Sequence, residues 1–169
     1  MTIVAGAGFE DFFTGLKTVY GQWIELDPGL VEIIQMNTGS ADLLRLKDFD
    51  VQSAPVEHNP ESIAYRVTGP GGHSVVYSGD TDTSENLIAL SKDADLLICE
   101  SALPDDFRVK GHLTPSLAGD IATRAGVKKL VLTHFYPECD QADIEQECRK
   151  TYDGPLVLAE DLMEIEIGS

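Results

Sequence analysis

The stretch "SVVYSGDTDTSENLIALSKDADLLICES", Ser74–Ser101, decides the fold. It opens on a short apolar run and breaks at Gly79-Asp80. It then carries apolar residues at helical spacing through "SENLIALSKDA", and ends on the continuous apolar run "DLLICES". Strand, helix and buried strand in that order form a βα unit. The unit repeats downstream: "TPSLAGDIATRAGV" is a helix, with Thr114 at its N-cap, Pro115 at its first position and Gly126 as its stop. "KKLVLTHF" is a strand, "DQADIEQECRKTY" a helix, and "PLVLAE" and "MEIEI" two last strands. The N-cap of the first helix falls to Thr83 or Ser84.

Upstream the pattern differs. Ile63, Tyr65 and Val67 alternate with polar residues, Gly69-Pro70-Gly71-Gly72 makes a turn, and Val75–Ser78 returns, which is a hairpin. "FDVQSAPVEH" and "GLVEIIQMNTGS" read as strands, and Thr2–Ala5 as an opening strand. Phe9, Phe12, Phe13, Leu16, Val19 and Tyr20 recur at helical spacing before Gly21, so an amphipathic helix facing a core is expected there. Hairpins first and βα units second imply an α/β class with a mixed sheet and flanking helices.

Composition narrows the function classes. The 169 residues fit one domain with a core, and 43% hydrophobic content suits a globular chain. No apolar run approaches the roughly 18 residues of a membrane span, so no membrane partner is expected. The N-terminus lacks the basic flank of a signal peptide. Cys99, Cys139 and Cys148 have no paired metal-ligand spacing, which points to a reducing, cytoplasmic setting. A net charge of −17, with only 12 scattered Lys and Arg, counts against a long nucleic acid partner. It leaves room for a small anionic substrate held through metal ions.

Four expected strands end on ligand-type side chains: "PVEH" on His58, "VVYSGD" on Asp80, "LLICE" on Glu100 and "LVLTH" on His134. Strand ends along one sheet edge are where α/β folds place ligand sites. Two histidines and an aspartate suit zinc, iron or manganese. Each residue alone has a plain structural reading: a hydrogen-bonded terminal His, a Gly-Asp turn, a solvated Glu. His112, in "KGHLTP", could simply brace the turn before a helix, and His73 beside the Gly-Gly turn reads as exposed and inert. The ordered set is what carries weight.

"SVVYSGDTDTSENLIALSKDADLLICESAL" followed by "GHLTPSLAGDIATRAGVKKLVLTHFYP" closely resembles the C-terminal half of metallo-β-lactamase-fold hydrolases, nearest the ribonuclease Z branch. "PVEHNPESIAYRV" resembles that branch's His-bearing strand and hairpin. The resemblance implies the C-terminal half of an αββα sandwich and a metal-dependent hydrolase of phosphodiesters or other esters. It implies that His58 is a ligand of a first metal, that Asp80 bridges two metals and that His134 is a ligand of the second. It also implies that His112 protonates the leaving group or holds the scissile phosphate, with Glu100 orienting it. Zinc, or manganese or iron, is the implied metal.

One departure is large: the family's HxHxDH signature is absent from residues 1–169 and would lie upstream of Met1. The expectation is therefore a single partial domain whose two-metal site is incomplete, weak or inactive alone. A missing N-terminal half or a second copy in a homodimer would complete it. The short interval between His58 and Asp80 leaves no insertion to grip tRNA, so a small anionic ester is the expected substrate. The rival expectation is a non-catalytic, metal-poor remnant acting as an association or binding module. An ordinary α/β domain with accidental histidines would scatter them.

Overall fold

The computed structural model describes residues 1–24 and 29–167. The chain opens with strand β1 (Thr2–Gly6), helix α1 (Phe9–Tyr20) and strand β2 (Glu32–Met36). β1 and β2 pair in parallel as a separate two-stranded sheet. Strands β3 (Asp42–Arg45), β4 (Asp50–Pro55), β5 (Ile63–Thr68) and β6 (Ser74–Tyr77) follow as an antiparallel meander. Helix α2 (Glu85–Leu90), strand β7 (Leu96–Glu100), helix α3 (Pro115–Ala125), strand β8 (Leu130–Thr133), helix α4 (Ile144–Cys148) and strand β9 (Leu156–Leu158) complete the chain. β6 to β9 pair in parallel, so the main sheet is mixed, in the order β3-β4-β5-β6-β7-β8-β9.

Period-2 alternation sorts the main sheet's side chains. Ala64, Val76, Leu97, Cys99, Leu130 and Leu132 are buried on one face, in a single cluster with Leu87, Ile121 and Cys148 from the three helices α2–α4. Each fully buried leucine there contributes roughly 1.5–3 kcal/mol of transfer free energy. Arg66 shares that face, and its guanidinium caps the end of α2 by donating to the Leu90 and Lys92 carbonyls at 3.0 and 2.7 Å. The opposite face is less covered: Tyr77 is 50% exposed.

The helix ends follow local chemistry. Ser84, not Thr83, caps α2, its hydroxyl accepting from Leu87 N. Thr114 takes the N-cap backbone conformation of α3, but the side-chain bond comes from elsewhere: Asp105 accepts from Ser116 N and Oγ at 3.2 and 2.7 Å. Gly126, with φ +68, ends α3 in the left-handed region that a Cβ disfavours. At Gly119 an added Cβ would meet Thr151 Oγ1 and the Cys148 carbonyl, so α3 and α4 cross there only because the residue is glycine.

Three sequence expectations need correction. Residues 163–167, "MEIEI", form no strand, because alternation alone does not create a neighbour to pair with. β3, unexpected from the sequence, is four residues long and lies at the sheet edge. α1 is a helix, but it faces no core: none of its residues is buried, and Phe12, Val19 and Tyr20 are all more than half exposed. Among the described residues no helix is long and apolar enough to cross a membrane.

Candidate metal centre

The loops leaving β4, β6, β7 and β8 meet at one edge of the main sheet, and residues 108–113 of the β7 loop close over the others. His58 lies three residues beyond β4. Its Nδ1 is 2.9 Å from the Gly111 carbonyl. A carbonyl only accepts, so the proton sits on Nδ1 and the lone pair is left on Nε2. Asp80 lies three residues beyond β6 and follows Gly79, whose φ of +60 turns the chain sharply after Ser78. His134 directly follows β8 and holds a φ of +66, unusual for a residue with a Cβ.

Glu100 ends β7 and is 2% exposed. Its carboxylate takes three donors: Thr81 N at 2.6 Å and His112 Nδ1 at 3.0 Å on Oε1, and Leu113 N at 3.1 Å on Oε2. Burial pushes its pKa above the ordinary value, against the opposing pull of the Thr81 and Leu113 amides and of His112. The bond to Glu100 places the His112 proton on Nδ1 and leaves Nε2 as the free nitrogen.

One potential ligand atom each from His58, Asp80 and His112 lie within 4.8 Å of one another. His134 Nε2 is 3.6 Å from Asp80 Oδ1, too far for a good hydrogen bond. That nitrogen is buried and has no hydrogen-bond partner among the described residues. A buried imidazole nitrogen without a partner costs free energy, which a bound cation would offset. The rings confirm the convergence: His58 and His112 have centroids 5.0 Å apart, and His112 and His134 5.6 Å. Three imidazoles and one carboxylate, with two of the rings locked in a defined tautomer, form a donor set that fits a zinc-, iron- or manganese-type cation.

All five residues singled out in the sequence thus meet at one place. His73 does not: it lies at the opposite end of β6, 3.6 Å from Asp95. Two residues passed over in the sequence also belong here. Tyr136 packs its ring 5.3 Å from that of His134 and 6.0 Å from that of His112, and remains 40% exposed. Asp82 binds the 108–111 segment, accepting from Arg108 Nη2 at 3.0 Å and Gly111 N at 3.1 Å. The second acid in "GDTDT" was a visible signal for it. A cleft of about 900 Å³ opens beside His58, lined among others by Asp82, Asn86, Arg108, Lys110 and Gly111.

Comparison with known proteins gives a consistent result. A family profile described as "Beta-lactamase superfamily domain" matches residues 16–135. An uncharacterised protein of Mycobacterium tuberculosis is 35% identical over 118 residues, covering 65% of this chain and 42% of that protein. A ribonuclease Z of Haloarcula marismortui is 38% identical over 118 residues, covering 64% of this chain and 38% of its own length. The crystal structure of the metallo-beta-lactamase fold protein YhfI from Bacillus subtilis superposes with a TM-score of 0.76 at 25% identity. That match covers 94% of this chain and 62% of YhfI. The chain spans about two fifths of the length of these two curated relatives.

Proposed function

Because the chain belongs to the beta-lactamase superfamily and has the metallo-β-lactamase fold, we propose that it contributes the metal-binding edge of a metal-dependent hydrolase acting on a small anionic ester, a phosphodiester in the first instance. The observation that carries this reading is the meeting of His58, Asp80, His112 and His134, with a buried, unpartnered Nε2 on His134.

His58, Asp80 and His134 would hold the metal. A bound zinc or manganese supplies a water of lowered pKa and neutralises charge on the ester oxygens. The chain's own residues do the rest. Glu100 accepts from His112 Nδ1–H and fixes the ring, so a proton carried at Nε2 is aimed at the cluster, where a leaving-group oxygen would take it. His112 also lies within ligand reach of the cluster, and its role as general acid is part of this proposal. The family likeness to ribonuclease Z favours phosphodiesters, while the net charge of −17 favours a small substrate over a long RNA.

The HxHxDH signature is absent from this sequence, so two metals would share few side chains. Further ligands would come from outside residues 1–169, a second copy of the chain being one proposed source. The exposed Phe12, Val19, Tyr20 and Trp23 around α1 support association, and a homodimer is the arrangement proposed. A single monomeric species by light scattering at micromolar concentration would contradict it. The proposed compartment is the cytoplasm, where three free, buried cysteines stay reduced. A second reading, a metal-poor association module, is favoured by the same missing signature.

The test is hydrolysis of bis(4-nitrophenyl) phosphate by the purified chain with added Zn²⁺ or Mn²⁺. Slow turnover at best is expected, abolished by chelator and by His134→Ala. Fast turnover lost in His134→Ala would contradict the proposed shortage of ligands. Turnover indifferent to both would contradict the site.

A further inference from the structure

Asp82 lies outside the cluster, yet its hydrogen bonds tie together the two segments that bring His58 and His112 into it. Its backbone N–H donates to the Glu57 carbonyl at 2.8 Å. Thr81 Oγ1 donates to the Asp82 carbonyl at 2.7 Å and accepts from Glu57 N at 3.2 Å. The residue before His58 is therefore stitched to the loop after β6. The Asp82 carboxylate then reaches the other segment. Oδ1 accepts from Arg108 Nη2 at 3.0 Å and from Thr83 N at 2.7 Å, and Oδ2 accepts from Gly111 N at 3.1 Å. Both oxygens are occupied by N–H donors.

Gly111 is the hinge of the arrangement. Its N–H is held by Asp82, and its carbonyl receives the His58 Nδ1 proton. Its φ is +93, and an added Cβ would stand 3.3 Å from His58 Nδ1, so the segment lies directly against the ring. His112 is the next residue along. One carboxylate thus sets the carbonyl that fixes the His58 tautomer and anchors the backbone from which His112 reaches Glu100.

We propose that Asp82 is a positioning residue: through Gly111 and Arg108 it holds the 108–112 segment so that His58 presents an unprotonated Nε2 to the cation and His112 keeps its place against Glu100. This deepens the metal-dependent reading above and rests on it for its second readout only. Groups behind a metal's own ligands commonly carry 10–100-fold of affinity.

The test uses the whole chain. Proton–nitrogen correlation spectra of the histidine rings, metal-free at pH 8, report each tautomer, and zinc titration by calorimetry reports affinity. In the unsubstituted chain His58 is expected to be protonated on Nδ1. In Asp82→Ala, His58 moves towards the Nε2-protonated form while His134 keeps its pattern, and the zinc Kd rises about 10–100-fold. Asp82→Asn keeps an acceptor for Gly111 N–H without the charge, and about a 3–10-fold loss is expected. It serves as the test variant should Asp82→Ala fold poorly. An unchanged His58 tautomer in Asp82→Ala, or an unchanged Kd in both variants, overturns the proposal. A tautomer shift in a chain that binds no zinc would support the positioning role and overturn the metal-centre reading instead.

Discussion

Glu100→Gln should destabilise the chain by about 1–3 kcal/mol. The carboxylate accepts from Thr81 N and His112 Nδ1 through Oε1 and from Leu113 N through Oε2. Gln has one oxygen and one NH₂. If its oxygen keeps the two Oε1 donors, the NH₂ faces the Leu113 N–H, donor against donor. Leu113 is fully buried, so water cannot take over that amide. The penalty of one stranded buried donor is about 1–3 kcal/mol. Losing the charge adds little in either direction. Burial raises the Glu100 pKa, so the charged form carries a desolvation cost that Gln does not. Urea unfolding of the metal-free chain reads the result. With a slope of about 2 kcal/mol per molar, the midpoint should fall by roughly 0.5–1.5 M. A midpoint within about 0.1 M of the unsubstituted chain would refute the reasoning, because Leu113 N–H would then have found another partner.

Two other residues offer separate tests. His134 sits at φ +66, where a Cβ is strained, so metal-free His134→Gly should be about 1 kcal/mol more stable than His134→Ala; equal thermal stabilities would remove strain from the account. Asp95 is held well below the usual carboxylate pKa, first by its hydrogen bond from Lys128 Nζ at 2.8 Å and next by Ser74 N at 2.8 Å. A depressed pKa stabilises the fold above the unfolded value near 3.9 and loses that contribution as pH falls through the folded value. Asp95→Asn should therefore be less stable than the unsubstituted chain at pH 6, with the gap closing below about pH 4; a gap that stays constant from pH 6 to pH 2.5 would contradict this.

The βα half of the fold was legible in the sequence because its signals agree at every level. "DLLICES" is an uninterrupted apolar run and becomes β7, fully inside the sheet. Pro115 and Gly126 bracket α3 as their backbone preferences require. The N-terminal part was less legible because periodicity reports that a face is apolar, not what covers it. α1 has the expected helical spacing and no buried residue. "MEIEI" alternates like a strand, but pairing needs a neighbour that sequence pattern does not supply. At the site, His134 and Glu100 were readable as strand ends, whereas His58 and Asp80 reach the cluster from loops three residues further on. Asp82 is visible in the sequence as the second acid of "GDTDT", but its role lies in contacts to residues 57, 108 and 111, which only the fold brings together.

The central claim is that side chains from separate loops at one sheet edge form a single cation site. Zinc titration of the chelator-stripped chain, alongside Asp80→Ala, tests it most directly. The account predicts saturable binding of at least one ion per chain, lost in Asp80→Ala because that carboxylate is within reach of His58, His112 and His134 alike. Absence of saturable binding, or binding that Asp80→Ala leaves intact, would contradict it.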